Sequence, residues 1–419
     1  MTGSQGIFSE EELEQIAFAR AGLTQIIEPA DALATQIITV VGPLRAAEFV
    51  QGSAPTHQEW AHLVEGFDDL GLRGKSTRKL REILSRWKDK RDNYRPAAIL
   101  PDFRRNGGGF LIPEDHRWPV ALNRLDHTTP VALWTRGPGQ IPSHSHSVAV
   151  VGSREISPYG RRVTEEFVSL LRHKQRTIIS GGAYGVDALA HRTALATDSG
   201  QKAPISTMAV MAGGLDQYYP SGNQELLADI ARTGVLISEL PPGARPNRYR
   251  FLNRNRLIAA LSSLVLIPES RWRSGAQNTA HHALEMGISV AVVPGSIHSA
   301  ASAGCHRLLS ETPATIVFDH HSLTEMLDDI GPVTPVVPAD QESHCRYSDV
   351  LDQQLSYEQL ILYDALPLRR YAAMDEICAA SGLSAREVAR NLPKLSRAGL
   401  VHERHRQYQA QRVAMSSSQ

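Results

Sequence analysis

Cysteine is scarce: only Cys305, Cys345 and Cys378 occur among 419 residues. None form a C-x-x-C pair, and none sit beside histidine at zinc-ligand spacing. A disulfide framework and a cysteine-ligated metal are therefore excluded, and three reduced thiols are expected. The opening residues are polar and acidic, unlike a secretory signal, and no apolar run approaches a membrane span. A cytoplasmic protein without a membrane partner is expected. Net charge is absent too, with 44 Lys plus Arg against 44 Asp plus Glu. That balance argues against indiscriminate polyanion binding but leaves room for a local basic groove.

Several nucleotide and catalytic motifs are missing as well. No G-x-G-x-x-G follows the first strand of the central region with an acid about twenty residues on. No G-x-x-x-x-G-K-[ST] loop and no G-x-S-x-G elbow occur, so no nucleotide cofactor is expected. The 17 histidines scatter. His281-His282 and His320-His321 are adjacent pairs that diverge on a helix, so no metal site is expected.

What is present is an ordinary globular composition, 42% hydrophobic and 21% charged, in a chain long enough for two or three domains. Residues 9 to 87 read as helical. Leu13, Ile16 and Ala17 lie at helical spacing, further helices are expected near 30–38 and from 43, and 75–90 forms a basic amphipathic helix with Leu80, Ile83, Leu84 and Trp87 on one face. Its cations are read as a solvated face. Residues 107–137 mix glycine, proline and short apolar runs, including a strand at Val131 to Trp134.

From Ser147 six short β-rich runs alternate with helices: 148–151, 177–179, 206–211, 235–237, 263–267 and 289–293. Such alternation predicts a Rossmann-like parallel sheet with helices on both faces. GPVTPVVPA at 331–339 reads as a linker. The segment 351–412 reads as helix, helix-turn-helix and hairpin, a winged-helix layout. The expected division is a helical region 1–100, a connecting segment 101–146, the α/β core 147–330, a linker 331–350, the winged helix 351–412 and a disordered tail 413–419.

Glycine and charged residues gather where the strands of the core end, the edge at which open α/β sheets bind ligands. The clusters are Gly152-Ser153-Arg154; Ser180-Gly181-Gly182-Ala183-Tyr184-Gly185-Val186-Asp187; Gly213-Gly214-Leu215-Asp216 with Tyr218 and Tyr219; and Arg273-Ser274-Gly275. Between them runs Phe251-Leu252-Asn253-Arg254-Asn255-Arg256. Glycine lets backbone approach a ligand, helix N-termini attract anions, and guanidinium forks suit phosphate oxygens. Together these features suit a nucleotide or a phosphodiester chain.

The strings VAVVGSREISPYG, SGGAYGVDALAH, AGGLDQYYP, ISELPPG, FLNRNRLIAALSSLVLIPES, RSGAQNTA and VPGSIHSAASAG resemble, in order and spacing, the core of the DNA-processing protein A (DprA/Smf) family. The resemblance spans about 147–327, and GGGFLIPEDHRWPVAL with PVALWTRG resembles the segment preceding that core. It implies an extended Rossmann fold, a homodimer, single-stranded DNA held in a positive pocket, delivery of that DNA to RecA, and no enzymatic activity. Arg154 is then the first phosphate contact, with Ser153 and the backbone of Gly181, Gly182 and Gly185 lining the same pocket. Arg254 and Arg256 either contact DNA or brace the pocket, and Asn253 and Asn255 either donate to phosphate or cap a helix. Many members carry lysine where Tyr184 stands; a tyrosine there can stack on a base instead. Many also read Ser-Leu-Ile-Thr-Ala where this chain has Ala276-Gln277-Asn278-Thr279-Ala280. Arg386, Arg390, Lys394, Arg404 and Arg406 make the winged-helix segment a candidate second DNA surface or, equally, a protein-binding module.

Two other classes compete. A phosphoribohydrolase-like enzyme would use Asp187, Glu239 or Glu269 as its acid, but its Pro-Gly-Gly-x-Gly-Thr signature is missing. A nucleotide-sensing module would bind a mononucleotide and signal through the winged helix.

Overall fold

The computed structural model describes residues 8–197 and 205–329, and most of 359–410. The linker read at 331–350, the tail at 413–419, Cys345 and Arg406 lie outside the described residues. The chain divides into two units.

The larger unit is built on nine strands: β1 (Gly108–Leu111), β2 (Leu133–Arg136), β3 (Ser147–Val150), β4 (Thr177–Ser180), β5 (Thr207–Val210), β6 (Val235–Ser238), β7 (Leu264–Ile267), β8 (Ser289–Val292) and β9 (Thr315–Ile316). Their order is β1-β2-β6-β5-β4-β3-β7-β8-β9. From β6 to β9 every pairing is parallel. Strands β3 to β7 are buried along their whole length, which is why they read as unbroken β-branched and aliphatic runs rather than alternating ones. The strand order reverses between β3 and β7, so the crevice beyond their carboxyl ends is the switch point of this Rossmann-like sheet.

The connecting segment supplies two strands, β2 overlapping the one expected at Val131 to Trp134. β1 pairs antiparallel with β2, and β2 pairs antiparallel with β6. Six helices precede it: α1 (Glu10–Ile26), α2 (Ala32–Val41), α3 (Pro43–Gln51), α4 (His57–Phe67), α5 (Ser76–Asp89) and α6 (Pro96–Arg105). α1 starts with a capping box, Ser9 and Glu12 each satisfying the other's backbone N–H. Helix and sheet share one core: Ile16, Ala17, Leu100 and Phe103 pack with Phe110, Trp134 and Leu236. Phe103 and Phe110 meet the Trp134 ring edge-on at 5.1 and 4.6 Å. Apolar packing of this kind joins the helical region to the sheet.

Crossover helices are α7 (Pro158–His173), α8 (Val186–Ala196), α9 (Gln224–Thr233), α10 (Arg248–Ala260), α11 (Gly275–Glu285) and α12 (Ala303–Glu311), and α13 (His320–Asp329) follows β9. α10 starts at Arg248, so the whole Phe251-to-Arg256 run is helical. Among the described residues no single helix is long and apolar enough to cross a membrane.

The second unit contains α14 (Met374–Ser381), α15 (Ala385–Arg397) and a hairpin of β11 (Val401–Arg404) with β12 (Gln407–Ala410), to which β10 (Ala372–Ala373) adds. Leu362, Ile377, Val388, Leu392, Leu395 and Val401 form its core. Arg386, Arg390 and Lys394 recur every four residues on the exposed side of α15, and Arg404 is exposed on β11.

Candidate nucleic-acid interface

Tight turns bring the strand-end residues together. Ser153 N–H donates to the Glu269 carbonyl (2.9 Å), and Val186 N–H donates to the Ser153 carbonyl (3.1 Å), lacing the turns after β3, β4 and β7. Gly185 has φ +76, and a Cβ there would lie 2.1 Å from the Ser153 oxygen. Gly181 serves a different need: a Cβ would fall 2.2 Å from the Arg254 guanidinium. Only glycine lets that side chain slide under the loop.

Arg254 is buried. Its Nη1 donates to the Gly181 carbonyl (2.7 Å) and to the Val210 carbonyl. Beside it, buried Asp187 accepts from Gly181 N–H (3.1 Å). Burial pushes the Asp187 carboxyl up against the opposing pull of Arg254, and burial lowers Arg254 to about 10 against the pull of Asp187. Each charge thus offsets part of the other's burial cost beneath the loop. Asn223 completes the brace by donating to the carbonyls of Gly182 (3.0 Å) and Ala183 (3.1 Å).

The outer layer differs. Arg154 is exposed and has no ion-pair partner among the described residues. Its guanidinium lies 5.3 Å from the centre of the Phe251 ring, whose neighbourhood also holds Arg254 at 5.8 Å. Tyr219 lies 5.8 Å from the same ring. Tyr184, 46% exposed, accepts from Gly222 N–H through its hydroxyl (3.3 Å), which steadies the ring at the rim. The arrangement is an exposed cation and three aromatic faces over a buried polar scaffold.

The remaining candidates separate. Ser153 is buried in the floor. Ser274 caps α11, accepting from Ala276 N–H (3.3 Å), and Arg273 is exposed beside it. Asn255 donates to the Gly275 carbonyl (3.3 Å) and to Asn278 (3.2 Å), tying α10 to α11. Asn253 donates to the Pro29 carbonyl (2.7 Å), and Arg250 grips Glu28 (2.8 and 3.0 Å). Arg256 leaves the pocket altogether: residues two apart on a helix face nearly opposite ways, and Arg256 pairs with buried Glu239 (2.9 Å). Arg254 and Arg256 thus both engage groups within the protein, and the two asparagines both donate to protein carbonyls.

Phe251 and Asn223 were not singled out by sequence. An aromatic inside an Arg/Asn-rich run was the available signal for Phe251.

The three acids considered for catalysis are each engaged. Asp187 faces Arg254, Glu239 faces Arg256, and Glu269 accepts from Ser157 N–H (3.0 Å) and from its hydroxyl.

The family model for DNA recombination-mediator protein A matches residues 109–328. A putative DNA processing protein DprA of Mycobacterium tuberculosis is 36% identical over 400 residues, covering 93% of each chain. DNA processing protein DprA of Streptococcus pneumoniae is 36% identical over 229 residues, 55% of this chain and 77% of that one. A solved structure of the Streptococcus pneumoniae protein covers 76% of this chain and 98% of its own, at 27% identity and a TM-score of 0.53. On the core it shares and on near full-length similarity, the chain belongs to the DNA recombination-mediator protein A (DprA/Smf) family.

Proposed function

We propose that this chain is a non-enzymatic, cytoplasmic binder of single-stranded DNA, acting in recombination or in the handling of incoming DNA. The observation that carries the reading is Arg154: an exposed guanidinium propped on Phe251, beside the rings of Tyr184 and Tyr219, over a loop fixed from below. A cation meets phosphate, and aromatic faces stack on unpaired bases without regard to sequence. A duplex hides its base faces, so the same pocket discriminates against it. Ser153, Gly181, Gly182 and Gly185 shape the floor, Tyr184 the rim, and Arg273, Ser274 and Gly275 the flank. Arg254, Arg256, Asn253 and Asn255 position these elements.

The resemblance to the family supports a homodimer that hands the strand to RecA. In the C-terminal unit, read as a winged helix, Arg386, Arg390, Lys394 and Arg404 are a candidate second DNA surface. Against a phosphoribohydrolase stands the engagement of Asp187, Glu239 and Glu269 with partners; incubation with nucleoside monophosphates should release no free base.

The test is fluorescence anisotropy with a labelled oligothymidine and with duplex of equal length. The wild-type chain should prefer the single strand, and Arg154→Ala should weaken it about tenfold or more, the worth of one charge-assisted contact. Equal affinity for both DNAs, or an unchanged variant, would refute the reading.

A further inference from the structure

Aromatic side chains are rarely left in water without cause, and the turn after β7 leaves one there. Arg271-Trp272-Arg273 forms that turn, and Trp272 is 52% exposed. The other tryptophans are placed differently: Trp87, Trp118 and Trp134 are buried, and Trp60 is half-buried with Arg81 against its ring. An exposed indole offers a broad apolar face suited to a contact surface.

Its surroundings say what it contacts. The Arg307 guanidinium lies 5.1 Å from the Trp272 ring centre and is itself fixed by Glu311 (2.7 Å). The turn is rigid: Gly304 N–H donates to the Ser270 carbonyl (2.8 Å), and buried Gln277 donates to the Gly304 carbonyl (2.9 Å) and to the Ser270 hydroxyl (3.1 Å). Arg271 pairs with Glu155 (2.8 Å), the residue after Arg154. The turn therefore stands next to the Arg154 pocket, one strand over on the same sheet edge, roughly 5 Å per strand away. Trp272 is thus a preset ring with a cation on it, flanked by Arg271 and exposed Arg273. An apolar protein partner would have to bury those guanidinium groups; a strand of nucleic acid uses them, its base on the indole and its phosphates on the cations.

We propose that Trp272, with Arg273 and Arg307, is a second base-stacking subsite for single-stranded nucleic acid, carrying the strand out of the Arg154 pocket past β7. The inference rests on the single-strand reading above and adds a place where the strand continues. A single nucleotide held in the pocket does not reach the indole; a longer strand does.

Tryptophan emission tests it directly, since Trp272 is the most exposed indole. An oligothymidine of about sixteen nucleotides should quench the full-length protein, and an abasic strand of equal length should not. Trp272→Phe should bind nearly as well but lose the quench. Trp272→Ala should weaken the long strand about tenfold while leaving binding of a single nucleotide, thymidine monophosphate, unchanged. Arg154→Ala should weaken both. Melting curves should show the Trp272 variants folded, because the ring lies outside the core. If Trp272→Ala binds the long strand as wild type does while Arg154→Ala fails to, the second subsite is refuted and the pocket stands. If neither variant alters binding, the pocket reading falls with it.

Discussion

Two regions of this molecule are rich in cations and use them differently. Residues 73–105 hold twelve Lys and Arg against four acids. Along α5, Arg78 and Lys79 pair with Glu82 at 3.0 Å, Arg86 reaches Asp31, and Arg81 covers Trp60. These are mostly exposed contacts of small worth, easily screened by salt. The carboxyl edge of the sheet carries fewer cations, but there buried Arg254, Asp187 and Asn223 fix the loops on which Arg154 and Tyr184 are displayed. Charge density alone does not make a site. A site needs charge held at a fixed place by a scaffold that no longer has to reorganise.

The comparison breaks first if the buried scaffold is dispensable. Arg254→Met leaves Asp187 buried without its partner, and removes a donor from two carbonyls. The expected loss is about 3–5 kcal/mol of unfolding free energy in urea titration, with part restored by adding Asp187→Asn. A loss below about 1 kcal/mol would place Arg254 with the surface cations of α5.

Acid should sharpen the same contrast. Burial lowers the His191 imidazole beneath the glycine loop to about 3, and burial beside Arg124 lowers His144 to about 4. Unfolded histidine titrates near 6.5. Below that value the unfolded chain takes up protons that the folded chain refuses. Stability present above about pH 6.5 is therefore lost as pH falls towards those folded values, by up to about 1.4 kcal/mol per pH unit for each histidine. His191→Gln, which retains a polar atom for the Thr207 hydroxyl, should flatten the dependence; an unchanged profile would remove His191 from the account.

A smaller effect is expected at the grip between α10 and the helical region. Asn253→Ala loses the bond to the Pro29 carbonyl and should cost about 1 kcal/mol of stability, with a two- to threefold drop in DNA affinity because Phe251 and Arg254 ride on the same helix. Unchanged affinity would mean that α10 is held without that contact. Smallest of all, combined Arg78→Gln, Arg81→Gln and Lys88→Gln on α5 should alter affinity less than about twofold at physiological salt. A tenfold loss would make α5 part of the interface.

Much of the fold was legible because β3 to β8 are interior strands, and a strand buried on both faces leaves a run of Val, Ile, Leu and Ala that little else produces. The start of α10 was less legible, because Arg248 to Asn253 has no apolar period, and its contact of Asn253 with Pro29 lies more than two hundred residues away in sequence. The strand at Val131 to Trp134 was legible from its apolar run, but that it joins the main sheet through β6 was not, because which strand pairs with which depends on contacts remote in sequence. The glycine turns and Arg154 were readable from local chemistry. That Phe251 props Arg154, and that Arg256 turns to Glu239, depend on helix facing and on neighbours remote in sequence.

The proposed role of Arg154 is to meet phosphate at a preorganised single-strand pocket. Its most direct test is the affinity for an oligothymidine measured across a range of salt concentrations. The slope of log affinity against log salt should shrink by about 0.7 in Arg154→Ala, one phosphate's share for a single strand. An unchanged slope, even with weaker binding, would show that Arg154 shapes the pocket without touching the strand.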